Sequence, residues 1–514
     1  MKRISALAFA MLPLVAALAQ TAPPANVDNG ISVDLALRPL GGGSGPVRAS
    51  SDAEVLVRVR DQSGAPIAGS SINAWFAIHA PDAPPLTQRD CVARVATFTA
   101  GGLFRQPALD LNVYRVVILN ADPTLSVVDP KLGFGGTHLL AMVQLESPAE
   151  DWVLDREQSR IYVAMPTAGK VAVVDTTTWK VAANIDVGPR AGRVVMQADG
   201  GYVWAGYEDG VAAIDPRTAK VAKRIKTGAG PHDLAISDDN RSLFVTNAAA
   251  GTTSVIDVKS LKVTRQIASG ASPVSVDWSP LAHAAYVASG DGAVTAIDAH
   301  RAAPRARLVS DAGLTRLRFA PGGRLAFLTN PSKDAVYVLD AASNRMVQKA
   351  VIEGEPFEVT FSDTIAYVRR LGSETVLMIT LANVGTEGAQ VSVADFPGGQ
   401  RAFGANEVKP IPAPGIVQSG GENAVLVTNP ADGEIYYYRE GMAAPAGDLS
   451  AYSHTPRAAM VVDRSLREVK PGVFATVATM PKAGRYDVAL YIDSPRVVTC
   501  FPVEVGERVS TADK

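Results

Sequence analysis

Cysteine is almost absent from this 514-residue chain: Cys91 and Cys500 are its only two. A C-x-x-C-H attachment site for covalent c-type haem is therefore excluded. Charge is also scarce, at 19 % of residues against the usual ~25 %. The formal net charge is −2 and the pI is near 6.3. Neither sign builds a field strong enough to hold a phosphate backbone, so no nucleic-acid partner is expected. Long apolar runs are missing after the N-terminus. The run Ile4–Ala19 is interrupted by Pro13 and is short for a membrane span, which needs ~20 residues. No G-x-S-x-G elbow, H-E-x-x-H pair or Walker loop occurs, so the common hydrolase, metalloprotease and nucleotide-binding signatures are absent. Helical periodicity is weak throughout.

What is present begins with Lys2 and Arg3, an apolar stretch from Ile4 to Val15, and small residues at Ala17-Leu18-Ala19. This is the pattern of a signal peptide over residues 1–19, with an uncleaved anchor as the alternative. The chain is expected to be periplasmic or secreted, with no membrane insertion after cleavage. In such a compartment Cys91 and Cys500 are expected to pair, the alternative being two buried free thiols.

The dominant feature is a repeat. The runs VAVVDTTT, VAAIDPRT, TSVIDVKS, VTAIDAHR and VYVLDAAS place Asp175, Asp215, Asp257, Asp298 and Asp340 at spacings of 40 to 42 residues. LSVVDPKL precedes them. VLMITLAN and IYYYREGM follow, the last after an irregular Gly/Pro-rich insertion around 385–415. Each run is preceded by another strand-like run and a turn, as in LFVTNAAAG and LAFLTNPSKD. A period near forty with three or four strands per unit predicts propeller blades, whose sheets are buried on both faces. The recurring Asp, fixed at a strand end, is expected to cap a turn rather than to catalyse.

The units LFVTNAAAGTTSVID and AFLTNPSKDAVYVLD resemble the YVTN family of β-propeller repeats, and GAGPHDLAISDDNRSLFVTN matches the family pattern best. The resemblance covers about residues 115–440. It implies an all-β propeller, and counting strand pairs gives eight blades, as in haem-d domains, or seven if the first or last pair closes a shared blade. Propellers of this kind include lactonases, haem-d domains and non-enzymatic periplasmic binding proteins, so the fold leaves the function open.

Residues 30–105 and 450–508 carry further strand-like runs, among them SINAWFAIHA and AAMVVD. Each flank is too small to stand alone. They are expected to combine into one split immunoglobulin-like β-sandwich beside a propeller at 110–445, with Cys91–Cys500 locking its halves and Trp75 in its core.

Aligning GFGGTHLLAMVQ with KTGAGPHDLAIS puts His138 and His232 at equivalent places before an inner strand. The neighbouring boundaries add Asp233, Arg190, Arg193, Arg316 and Glu358. Convergent polar groups at a channel mouth are the default small-ligand site. Three readings compete. The histidines bind a divalent metal with Asp233 or Glu358. Alternatively, one histidine is an axial ligand to haem, as the resemblance to haem-d propellers implies. In the third, these groups satisfy the backbone, with Arg–Glu pairs beside them. The expected function is binding or scaffolding for a periplasmic protein or small ligand. The alternatives are a cofactor- or metal-binding redox protein and a lactonase-like hydrolase.

Overall fold

The computed structural model describes residues 26–28, 30–40, 45–99, 107–112, 114–130, 139–399, 409–420 and 423–507. The proposed signal peptide lies outside them. The chain divides into two compact units, Tyr114–Asp463 and the pair Met1–Val113 with Arg464–Lys514.

Eight four-stranded antiparallel sheets make up the Tyr114–Asp463 unit among the described residues. They are counted by their first strands: Asp151–Leu154, Val194–Met196, Leu234–Ile236, Pro273–Ser279, Arg316–Phe319, Pro356–Phe361, Ile416–Gln418 and Pro456–Asp463. First strands of neighbouring sheets touch one another and so line the axis. In the third sheet the middle strands, Ser242–Asn247 and Thr252–Asp257, are buried almost end to end. The last strand, Lys262–Ala268, is mostly polar and largely exposed. This is the pattern of sheets stacked face to face with one free edge.

Large side chains fill the space between sheets. Tyr162, Trp204, Phe244, Tyr286, Phe327 and Tyr367 recur on the second strands and are completely buried. Phe244 packs with Val276 and Val287 of the next sheet, and Tyr286 with Leu317 and Leu328 of the one after. Similar clusters join every consecutive pair, including the seventh sheet to the eighth and the eighth to the first. The ring is therefore closed, as a β-propeller requires.

The repeated aspartates lie where the third strand turns into the fourth. Asp175 accepts the N–H groups of Thr177 and Thr178, and Asp298 those of His300 and Arg301. Asp215, Asp257 and Asp340 do the same for Arg217, Ser260 and Ala342. Each carboxylate thus satisfies turn donors that would otherwise be unpaired. The asparagine ending LFVTN acts in a related way, since Asn247 donates to Thr252 and Ser254 across its own hairpin. Gly228, at φ +148°, lets the incoming chain lie on Asn247, where a Cβ would meet it at 3.1 Å.

One boundary differs from the sequence reading. AAMVVD lies in Pro456–Asp463, read above as part of the C-terminal flank from residue 450. It is instead the first strand of the eighth sheet, pairing antiparallel with Tyr114–Asn120. Strands Thr124–Val128 and Leu139–Gln144 complete that sheet. Both ends of the ring share one sheet, so the closure is made by backbone hydrogen bonds. The apolar run alone did not say which partner it would find.

The other unit holds two antiparallel sheets. One orders Asn26–Asp28, Ile31–Pro39, Asp52–Arg60, Val473–Thr479 and Arg467–Lys470; the other orders Val497–Val505, Gly484–Ile492, Ile72–Ile78 and Leu109–Asp110. Each mixes strands from both chain ends, and one core joins them, built from Val33, Val57, Phe76, Val488 and Phe501 among others. The helix Gln88–Thr99 was not anticipated. Thr87 and Asp90 form a reciprocal cap: Asp90 accepts from the Thr87 N–H and hydroxyl, and the Thr87 hydroxyl accepts from the Asp90 N–H. Cys91 and Val95 on the helix pack against Trp75, Ala489 and Val498. Trp75 therefore lies under the helix and not between the two sheets. Cys91 is joined to Cys500 by a disulfide.

Candidate functional site

The first strands carry one residue each at the same register, just where they begin. Going round, the ring position holds Asp151, Arg193, Asp233, Ser275, Arg316, Glu358, Gly415 and Ala458, and Arg457 sits one residue earlier, at the bulge before Ala458. Several of these side chains reach forward to the next sheet. Asp151 accepts from the Val194 N–H at 2.9 Å, Asp233 from Val276 at 3.0 Å, and Glu358 from Gly415 at 2.7 Å. The Ser275 hydroxyl accepts from Leu317 N–H at 3.1 Å. The ring of inner strands is thus stitched by side chains at its mouth.

The same groups form a buried charge network. Arg193 donates through Nη1 to Asp151 and through Nε to Asp233, both at 2.8 Å. Arg318 reaches Asp233 at 3.2 Å and Ser275 at 3.0 Å. Arg369, on the second strand of the sixth sheet, reaches Glu358 at 3.2 Å and the Thr428 carbonyl at 2.7 Å. Burial alone would raise the Asp233 pKa. Arg318 and Arg193, with the donors from Val276 and Ser275, outweigh it and hold the carboxyl well below the usual range. Burial dominates at Asp151, where a single guanidinium only partly offsets it, and the pKa is raised. Asp277 is raised for the same reason, with Arg318 the main opposing charge. At Arg193 burial opposes the charge, and Asp151 and Asp233 together overcome it and raise the pKa.

Arg316 and Arg457 are different. Arg316 donates to the Ile411 carbonyl at 3.0 Å, and Arg457 to the Lys409 carbonyl at 2.9 Å. No carboxylate lies within ion-pair distance of either among the described residues. Burial, and then the neighbouring Arg318, brings the Arg316 guanidinium down to about 10. Burial also lowers Arg457, with Glu150 the opposing charge. The segment Lys409–Pro414 lies across the mouth: Ala413 donates to the Glu150 carbonyl, and the Pro414 carbonyl accepts from Ala459. Ile411 and Ala413 are buried with Trp152 and Leu145 of the first and eighth sheets. Beneath it, between Phe357, Arg369, Pro430 and Arg457, only about 10 Å³ of space remains.

Of the seven mouth residues expected from sequence, Arg193, Asp233, Arg316 and Glu358 occupy the ring position. Arg190 does not: it is largely exposed and faces Glu208 at 3.7 Å. His138 lies outside the described residues. The strand after it, Leu139–Gln144, is the fourth of its sheet, whereas His232 precedes a first strand. The two are therefore not equivalent, and the segment matching His232-Asp233 is Glu150-Asp151. His232 holds Nδ1 2.6 Å from the Thr246 carbonyl. Its Nε2 is buried, and a Cβ on Gly230 would come within 2.8 Å of it. That nitrogen is packed against the chain itself and does not present a face to an iron. The oxygens of Asp233 and Glu358 are taken by arginines and backbone donors, so the expected metal ligands are committed elsewhere. Among the described residues no group of three or more His, Cys, Asp or Glu side chains is arranged to hold a metal. In the other unit His79 is likewise committed, to Asp487 at 2.9 Å and the Ala83 carbonyl at 3.0 Å.

Asp151, Arg318, Arg369 and Arg457 escaped the sequence reading. Arg318 had a signal: it lies two residues from Arg316 on a strand, and so on the same face. Asp151 was hidden by aligning its boundary one strand too early.

A family model for YNCE-like β-propellers matches residues 193–310. None of the curated proteins matches the chain in sequence. Apo AztD from Citrobacter koseri is similar in structure, with a TM-score of 0.54 and 14 % identity over 68 % of this chain and 98 % of that one. A second AztD structure from the same organism gives 0.53 and 12 % over 68 % and 97 %. The dihydro-heme d1 dehydrogenase NirN in complex with DHE gives 0.48 and 16 % over 83 % and 87 %. Among the described residues no helix is long and apolar enough to cross a membrane. The closed ring of four-stranded sheets, the forty-residue repeat and the family match agree: the chain contains a β-propeller with YVTN-like repeats, of which residues 193–310 match the YNCE-like family.

Proposed function

We propose that the protein is exported and acts as a binding module, taking a small ligand or a partner protein at the mouth of the propeller. The observation that carries this is the pair Arg316 and Arg457, two guanidinium groups drawn to the axis with only carbonyl oxygens as partners. Charged groups drawn out of water without a directly paired counter-charge cost stability. A site that holds them in that state is suited to a ligand. Among the remaining ring residues the Ser275 hydroxyl donates to Asp233 at 3.0 Å, but that carboxylate is held by Arg193 and Arg318 and the hydroxyl also accepts from Leu317 N–H, which favours holding over turnover. Export rests on the N-terminal residues Lys2 to Ala19.

The test is purification from the native host followed by N-terminal sequencing, native mass spectrometry, an absorbance spectrum and metal analysis. A mature chain beginning near Gln20 that carries a small molecule or a partner is expected. A Soret band or stoichiometric metal would overturn the plain binding role in favour of a cofactor protein.

A further inference from the structure

The identity of the group suited to the mouth follows from what now fills it. Arg316 and Arg457 come from the fifth and eighth sheets, far apart on the ring, yet both donate to one short segment. Each guanidinium has five N–H donors. Among the described residues Arg316 forms one side-chain hydrogen bond and Arg457 one, and the Arg457 Nε is buried with no acceptor. Their acceptors are carbonyls two residues apart, in a proline-rich stretch, Lys409-Pro410-Ile411-Pro412. Such an extended stretch separates those oxygens by about 6 Å. The surrounding charge is mixed. Arg193, Arg318 and Arg369 lie around the mouth, Asp233 and Glu358 are already paired with them, and Glu150 faces Arg457 from the first sheet. Carboxylates bind guanidinium bidentately and about twice as strongly as neutral carbonyls do.

We propose that Arg316 and Arg457 form a site for a small organic dianion with two carboxylates about 6 Å apart, and that Lys409–Pro414 occupies this site until the dianion displaces its two carbonyls. The segment is a stand-in ligand: it supplies two oxygens at the required spacing and no charge. With it in place the space below is too small for a ligand, so binding requires it to move. This inference rests on the binding role of the mouth and specifies its ligand.

The test is calorimetric titration of the full mature chain with succinate, glutarate and adipate, with propionate as the single-charge control. One dicarboxylate is expected to bind at least tenfold more tightly than propionate. Arg316→Gln and Arg457→Gln are each expected to weaken it at least tenfold. Arg316→Lys keeps the charge and loses the fork. In a chain that melts like the wild type, a tenfold loss supports the site and unchanged affinity overturns it. Hydrogen exchange should quicken at the Ala413 amide, which donates to the Glu150 carbonyl, when the dianion is added, and unchanged protection there overturns the displacement. No binding of any dicarboxylate overturns the dianion site. If native mass spectrometry then finds a neutral ligand or a partner lost on Arg457→Gln, the binding role stands without it; if it finds none, both fall.

Discussion

Asp151 and Asp233 occupy the same register in sheets two apart, and their surroundings shift them in opposite directions. The difference is one guanidinium. Asp233 lies between Arg193 and Arg318, whereas Asp151 has Arg193 alone. Replacing Asp233 by Asn leaves both arginines partly unpaired in a buried site, and such a loss costs about 3–5 kcal/mol. Urea unfolding at pH 7 should show it. Acid should close the gap. The unfolded carboxyl titrates near 3.9 and the folded one well below that, so the Asp233 contribution is complete above about pH 4 and is lost as the pH falls further. The wild type therefore loses stability below about pH 4 that Asp233→Asn does not lose. A gap that stays constant between pH 5 and pH 3 would count against this network. At this scale the sequence was partly legible. Arg193, Asp233, Arg316 and Glu358 emerged from counting forty residues at a time, because the register repeats. Asp151 did not, because its boundary was aligned one strand too early, and Arg369 did not, because it lies on a second strand and the charge it meets depends on how the sheets fan around the axis.

Elements that repeat were easy to read, and elements that occur once were not. The middle strands announce themselves with apolar runs bounded by Asp and Asn, whose turn bonds are local in sequence. The closing strand Pro456–Asp463 has the same composition as a sandwich strand, and its partner lies more than 300 residues away. The helix Gln88–Thr99 carries few large apolar residues, and only Cys91 and Val95 are buried on it. Its one clear mark was Thr87-x-x-Asp90 ahead of the run. That cap should matter in proportion to how little else holds the helix. Thr87→Ala removes the hydroxyl that accepts the Asp90 N–H and is expected to cost about 1 kcal/mol. Faster hydrogen exchange confined to residues 88–92 would report it. An unchanged exchange pattern there would mean that the disulfide at Cys91, and not the cap, fixes the first turn.

The whole molecule has two kinds of closure. The propeller closes by strand pairing in the eighth sheet, and the sandwich closes by mixing strands from both chain ends and adding Cys91–Cys500. Each unit also has its own core: Val33, Val57 and Phe501 belong to the sandwich cluster, and Phe244 and Val276 to a cluster within the ring. Separate cores imply separate cooperative transitions. Opening the disulfide frees a loop of 409 residues in sequence separation, a change that removes about 2–4 kcal/mol in typical proteins. Truncating a fully buried Phe costs about 3–5 kcal/mol. Scanning calorimetry of the mature chain should therefore resolve two transitions. Cys91→Ser with Cys500→Ser should lower the transition of the sandwich, as should reductant on the wild type, and leave the other near its original temperature. Phe244→Ala should do the reverse. Were both substitutions to lower one common transition by similar amounts, the two cores would be acting as a single cooperative unit, and the disulfide would be stabilising the ring as well as the sandwich.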